Sequence, residues 1–293
     1  MEWQELTVKT NNESIEAINN MLMEAGASGI QVDDHSAVVV INAYFNERVK
    51  INELIPELQV RIDQLADFGL DPSPAEISLK PVNDDSWALT WEKYYHPTRL
   101  TRFLTVVPDW EEYQPTSQNE LIIKLNPGRA FGTGTHPTTI LTLQGLETVI
   151  RGGESMLDVG TGSGVLSIAA KLMGVEHIKA FDLDEVAVSS ALENINLNPV
   201  AKDVEVSAND MLNGIDDVVD IIAANMLSDV IQPLIPQAFN CLKPGGKMVI
   251  SGIINDKFDL IIDTLVQNGF TISETLAMDD WRGIIATRRL EED

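Results

Sequence analysis

The chain has 293 residues, 44% of them hydrophobic, with 20 Lys+Arg against 45 Asp+Glu and a formal net charge of −25. That length accommodates about two domains with ordinary cores and sets aside disorder driven by low hydrophobicity. So acidic a surface repels phosphate backbones, which disfavours a general DNA or RNA binder, and it attracts a basic partner. The single cysteine, Cys241, can form neither an internal disulfide nor a cysteine-built zinc site, so no metal is expected and a reducing compartment suits the chain. The opening MEWQELTVKT lacks an apolar core behind a basic start, and no stretch approaches 18 uninterrupted apolar residues. A cytoplasmic protein without membrane contact is the expectation.

The elements begin with a strand from Trp3 to Val8, which alternates, and a helix over Glu13 to Glu24. Ile15, Ile18, Met21 and Leu22 fall on one face of that helix, and Gly26 stops it. Strands at Gly29 to Val32 and Ala37 to Tyr44 are joined by the polar turn Asp33-Asp34-His35-Ser36. A second helix from Ile51 to Phe68 ends at Gly69, and Asp71-Pro72-Ser73-Pro74 breaks the chain before a strand at Glu76 to Lys80. The order βαββαβ is that of a ferredoxin-like α+β sandwich over residues 1–80, with hinges expected at Asp71 to Pro74 and near Pro81.

Residues 81–126 read as a linker and pre-catalytic segment. With the adjoining Pro127 they hold Trp87, Trp91 and Trp110 beside Tyr94, Tyr95 and Tyr113, which form either a packed connecting layer or part of a substrate groove. From 127 to 293 the pattern turns to strands alternating with helices. The strands are expected at Ser155 to Val159, Ile178 to Phe181, Val204 to Ser207, Val218 to Ala224, Lys247 to Ile254, Phe270 to Leu276 and Trp281 to Thr287. Helices are expected at Val165 to Met173, Glu185 to Asn196, Ile231 to Phe239 and Phe258 to Asn268. Short apolar runs without clean alternation mark strands covered on both faces, so the fold class is α/β with a doubly wound, Rossmann-like sheet. A ligand belongs at the carboxyl ends of its central strands.

Four motifs gather there. Leu157-Asp158-Val159-Gly160-Thr161-Gly162-Ser163-Gly164 is a strand running into a glycine loop; Val165 stands where a dinucleotide fingerprint needs a third glycine. Asp182, 22 residues beyond Gly160, ends the second strand in Phe181-Asp182-Leu183-Asp184, where a carboxylate can accept from two ribose hydroxyls. Asp184 is equally placed to cap the next helix. Asn225, in Ala223-Ala224-Asn225-Met226, ends the fourth strand and either contacts what enters the crevice or caps a helix. No proline or aromatic ring follows it. Ala130-Phe131-Gly132-Thr133-Gly134-Thr135-His136-Pro137-Thr138-Thr139 is a glycine-hinged loop opening a helix at Pro137, and free N–H groups at such a start favour a carboxylate.

On these four motifs the chain resembles the bacterial ribosomal protein L11 methyltransferases over essentially its whole length, and the AFGTGTHPTT run is the most specific of them. The resemblance implies a class I methyltransferase domain, preceded by a small substrate-recognition domain. It implies transfer of methyl groups from S-adenosyl-L-methionine to lysine ε-amines and the N-terminal α-amine of a basic ribosomal protein, up to trimethylation. Carried over by motif, the cofactor contacts are Thr139, Gly160, Asp182 and Asn225, with Gly162 in the same loop. Asn225 is the catalytic candidate that orients the amine. His136 is the other, as a proton acceptor or as a cap that shapes the pocket. The acidic surface leads to the expectation that the substrate is taken free rather than in assembled ribosomes, by a monomeric enzyme that does not bind nucleic acid.

Overall fold

The computed structural model describes residues 3–27, 29–33, 38–46, 49–68, 70–82, 96–126 and 134–290. The chain divides into two compact units, Met1–Tyr94 and Tyr95–Asp293. In the first, β1 (Trp3–Thr10), α1 (Ile15–Glu24), β2 (Gly29–Asp33), β3 (Val39–Asn46), α2 (Ile51–Asp63) and β4 (Glu76–Val82) form a four-stranded antiparallel sheet in the order β2-β3-β1-β4. That is the ferredoxin-like arrangement expected for the N-terminal residues. Leu6, Val8, Ile41, Ala43 and Phe45 alternate onto one face and pack against Ile18 and Leu22 of α1 and Leu58 and Ile62 of α2.

Two details depart from expectation. The α-helix stops at Asp63 and continues to Phe68 as a tighter 3-10 turn. The expected hinges are tied down within the first unit. Thr10 Oγ1 donates to the Pro72 carbonyl at 3.1 Å, Ser14 Oγ donates to the Asp71 carbonyl at 2.9 Å, and Pro81 lies within β4 opposite Gln4. Asp34, His35, Ser36, Ala37 and Gly69 lie outside the described residues, as do Trp87, Trp91, Tyr94 and Tyr95.

The second unit begins ahead of residue 127. β5 (Thr98–Arg99), β6 (Leu104–Pro108) and β7 (Leu121–Leu125) make a small sheet whose Leu104, Val106, Ile123 and Leu125 belong to the same core as the large sheet. Aliphatic residues carry this packing, and of the two Trp and Tyr side chains described here Trp110 is 36% exposed and Tyr113 is half-buried. Glu120 closes the connection between β6 and β7. Its buried carboxylate accepts from Thr105 Oγ1, the Tyr113 hydroxyl (2.7 Å), the Thr116 amide and Thr116 Oγ1 (2.7 Å). The Thr105 hydroxyl first, then those of Tyr113 and Thr116, hold its carboxyl down at about 2.

The large sheet holds β8 (Ser155–Val159), β9 (His177–Asp182), β10 (Glu205–Ala208), β11 (Val219–Asn225), β12 (Leu242–Ile254), β13 (Phe270–Met278) and β14 (Trp281–Arg288). Its order is β10-β9-β8-β11-β12-β14-β13, parallel through β12 and antiparallel at β14 and β13. Successive residues face opposite layers. Ile221 and Ala223 join the core that includes α3 (Pro137–Val149), α4 (Val165–Leu172) and α5 (Glu185–Leu197). Ile222 and Ala224 join the core of α6 (Ser228–Cys241) and α7 (Phe258–Gln267). Helix α6 starts three residues before the expected Ile231 and runs through Pro233 and Pro236, because its buried face of Ile231, Leu234, Ile235 and Ala238 outweighs the two missing N–H donors.

The depressed acidity of Glu120 has a defined sign. Its contribution is fully present above the ordinary value of 4.5 and is lost as pH falls towards about 2. Urea melts of wild type and Glu120→Gln are expected to differ most above pH 5 and to converge by pH 2. A difference that did not depend on pH would show that the carboxylate charge is not what the cage stabilises.

Candidate functional site

Strand β8 ends at Val159, and the chain turns into α4 through three glycines with φ of +71° (Gly160), +56° (Gly162) and +81° (Gly164). A side chain would be strained in that left-handed region. The loop is closed by its own surroundings. The Gly160 and Thr161 amides donate to the Phe181 carbonyl at 2.8 and 2.9 Å, and the Gly164 amide donates to the Thr161 carbonyl at 2.9 Å.

Beneath the loop lies Asp158, fully buried. Its Oδ2 accepts from Thr161 Oγ1 at 2.8 Å and from Ser167 Oγ at 2.6 Å, whereas its buried Oδ1 has no hydrogen-bond partner. Burial pushes this carboxyl up to about 6 against the lowering effect of the two hydroxyls, and the neighbouring Asp182 raises it further.

Asp182, the last residue of β9, is placed at the same loop. Its Oδ2 accepts from the Gly162 amide at 2.9 Å and its Oδ1 from the Asp184 amide at 3.1 Å. Asp184 takes the capping role, with Oδ1 accepting from the Val186 amide at 2.9 Å at the start of α5. Asp184 thus caps the helix, the role its position favoured in the sequence, while Asp182 faces the glycine loop.

Asn225 is the last residue of β11 and does not cap α6, whose N-cap is Leu227. Its Nδ2 donates across 86 residues to Oγ1 of Thr139 at 3.2 Å. Thr139 is fully buried in the first turn of α3, where its amide donates to the His136 carbonyl at 3.0 Å. His136 is the N-cap of that helix: its Nδ1 accepts from the Thr138 amide at 3.3 Å and lies 2.8 Å from Thr138 Oγ1. In the tautomer that makes this cap, Nε2 carries the ring proton. The structure thus brings Gly160, Gly162 and Asp182 into one cluster, and Asn225, Thr139 and His136 into another at the same edge. Ala130, Phe131, Gly132 and Thr133 of the AFGTGTHPTT run lie outside the described residues.

Three features were not read from sequence. The Trp281 ring lies edge-on to His136 with centroids 5.2 Å apart. Asn194 joins β7 to the glycine loop, accepting from the Asn126 amide at 2.7 Å and donating to the Ser163 carbonyl at 2.9 Å. Gly252, at φ +91°, makes room for Met226, since a Cβ there would come 2.1 Å from the Met226 carbonyl oxygen. Lone residues in helices and strands carry no pattern that announces such contacts; only Gly252, an isolated glycine inside a strand, is a signal of close backbone approach.

The residues fit a ligand with a cationic centre and vicinal hydroxyls. The glycines turn the chain tightly at the strand end, Asp182 supplies a carboxylate acceptor, and the orphaned Asp158 oxygen is a buried acceptor facing no cation. Among the described residues no group of three His, Cys, Asp or Glu side chains could hold a metal ion.

Residues 2–289 match the family model described as Ribosomal protein L11 methyltransferase (PrmA). A protein of that name from Levilactobacillus brevis is 49% identical over the full length of both chains, and one from Enterococcus faecalis is 46% identical, also over the full length of both. The crystal structure of a ribosomal protein L11 methylase from Lactobacillus delbrueckii subsp. bulgaricus is 36% identical, covers 67% of this chain and 100% of its own, and superposes with a TM-score of 0.64.

The Asn225–Thr139 bond links a strand end to a helix start. In a double-mutant cycle of Asn225→Ala and Thr139→Val, measured by urea unfolding, the coupling energy is expected at about 0.5–1.5 kcal/mol. Strict additivity would show that the two side chains do not interact.

Proposed function

The chain belongs to the ribosomal protein L11 methyltransferase family, and from that premise we propose that it methylates lysine ε-amines and the N-terminal α-amine of L11, up to trimethylation, at the edge shared by Gly160, Asp182, Asn225 and Thr139. S-adenosyl-L-methionine is its methyl donor and supplies, when bound, a methyl group activated on a sulfonium. The observation that carries the assignment of residues is the hydrogen bond from Asn225 to Thr139, which joins the carboxyl end of β11 to the helix opened by THPTT. Gly160, Gly162 and Asp182 would hold the nucleoside part, with Asp182 as the acceptor for ribose hydroxyls, and Thr139 and Asn225 would border the methionine end.

The acceptor must arrive as a neutral amine. Against an ordinary lysine value of about 10.4, removing its proton at neutral pH costs about 4–5 kcal/mol. Partial burial beside a cationic centre lowers that cost, since both disfavour the ammonium form. Asn225 then orients the amine: with Nδ2 committed to Thr139, its Oδ1 is the acceptor that an amine N–H can use. His136, with Nδ1 engaged in the helix cap, acts by fixing the start of α3 rather than by taking the proton. Orientation and a neutral nucleophile supply the catalysis.

These roles separate in steady-state kinetics. Asn225→Ala is expected to lower kcat at saturating cofactor by about 10- to 100-fold through lost orientation. His136→Ala is expected to raise the cofactor KM with kcat nearly unchanged. A kcat loss of about 100-fold or more in His136→Ala would restore it as the proton acceptor.

The first unit, residues 1–94, is the recognition module for the protein substrate, and the enzyme works in the cytoplasm as a monomer without binding nucleic acid. Its net charge of −25 draws a basic ribosomal protein and repels the same protein once embedded in RNA. Methylation is therefore expected to be faster on free L11 than on assembled ribosomes, and the association rate is expected to fall as salt rises. Equal rates on both substrates at low salt would show that the acidity serves solubility alone.

A further inference from the structure

Strand β11 ends at Asn225, and the next residue, Met226, ties that strand end to both of its neighbours in the sheet. On the β12 side the tie is made by the backbone. The Met226 amide donates to the Ser251 carbonyl at 3.1 Å. Its own carbonyl passes over Gly252, where a Cβ would lie 2.1 Å from the carbonyl oxygen, 2.6 Å from the carbonyl carbon and 3.0 Å from the nitrogen. Only glycine leaves that space open. On the β8 side the tie is made by the side chain. A Cβ on Gly160 would lie 2.6 Å from Met226 Sδ, 2.9 Å from Cγ and 3.7 Å from Cε. The thioether therefore fills the space in which a side chain of Gly160 would stand. Met226 is itself partly buried against the core that holds Val159, Ala224 and Ile250.

Methionine suits such a span, because its unbranched chain and polarisable sulfur follow an irregular gap that a branched side chain would miss. From the β9 side the loop is held by the Gly160 and Thr161 amides on the Phe181 carbonyl. From the β11 side Met226 meets Gly160, and removing its thioether would leave the lining atoms without those contacts. We propose that Met226 is a positioning residue for methyl transfer: its side chain braces the glycine loop against the strand end that carries Asn225. The brace fixes the cofactor relative to the group that orients the acceptor amine, and it acts through Gly160 rather than on the reacting atoms. It rests on the reading that S-adenosyl-L-methionine binds at this loop and that Asn225 orients the amine.

Calorimetric titration of the full chain with S-adenosyl-L-methionine reads the brace. Met226→Ala is expected to raise the cofactor dissociation constant about tenfold, and Met226→Leu, which restores most of the volume, to bring it back to within about threefold of wild type. In steady-state kinetics the cofactor KM is expected to follow the dissociation constant, with a smaller change in kcat. A residue that only supported the sheet would lower the melting temperature and leave the dissociation constant unchanged.

Gly160→Ala supplies a second measurement. Alanine at a φ of +71° carries the same backbone strain whether or not Met226 is present, whereas the clash with the thioether exists only when it is. Gly160→Ala is therefore expected to weaken cofactor binding at least about tenfold more in wild type than in the Met226→Ala background. Strict additivity of the two substitutions, an unchanged dissociation constant in Met226→Ala, or no recovery in Met226→Leu would each overturn the brace while leaving the cofactor site in place. Absence of any binding of S-adenosyl-L-methionine to wild type would remove the cofactor reading and the proposal together.

Discussion

The turn that follows β8 is held in a left-handed conformation at three glycines, and it is closed over a carboxyl that no water reaches. Asp158 draws Thr161 and Ser167 onto one of its oxygens, and the Phe181 carbonyl takes the Gly160 and Thr161 amides. The entry into α4 is thereby fixed from below and from the side. With the loop fixed, its Gly162 amide meets Asp182, and the two acids at the end of β9 divide into one at the site and one capping α5. Replacing any one of these glycines would strain the backbone and disturb all of these contacts together.

The sheet supplies the second level of order. Because side chains alternate across a strand, Ile221, Ala223 and Asn225 share the face covered by α3, and the cross-strand register aligns Asn225 with Ser251 on β12 and Gly283 on β14. A Cβ on Gly283 would come 3.3 Å from the Leu141 Cβ, and one on Gly145 would come 2.5 Å from Val249. Helix α3 lies close to the sheet along this row. That closeness delivers Thr139 to Asn225 and places His136 against Trp281, two residues from Gly283 on the same face of β14. The candidate site is thus a consequence of helix packing as much as of strand ends.

Much of this was legible beforehand. The βαββαβ order, the seven strands of the large sheet and the glycine loop each carry a local signal: alternation, apolar runs of strand length, or glycines at a strand end. Asp182 and Asn225 stand out because strand ends in a doubly wound sheet are where ligands sit. Among the described residues of 81–126 the side chains that join the core of the large sheet are Leu100, Leu104, Val106, Ile123 and Leu125, whose short runs resemble many loops. The start of α6 was misplaced because Pro233 and Pro236 are local breakers, and the apolar face that overrides them matters only when a sheet lies beneath it.

The sequence by itself determined which elements form, in what order, and which residue types stand at the carboxyl ends of the strands, because these follow from period, turn chemistry and short motifs. It also set the charge that bears on the choice of partner. Only the tertiary structure decided that Asp184 caps a helix while Asp182 faces the loop, that Asn225 pairs with Thr139 rather than capping α6, and that one oxygen of Asp158 is buried without a partner. Those outcomes depend on contacts between residues far apart in the chain and on the solvent that packing removes, and neither quantity is written in any local stretch of residues.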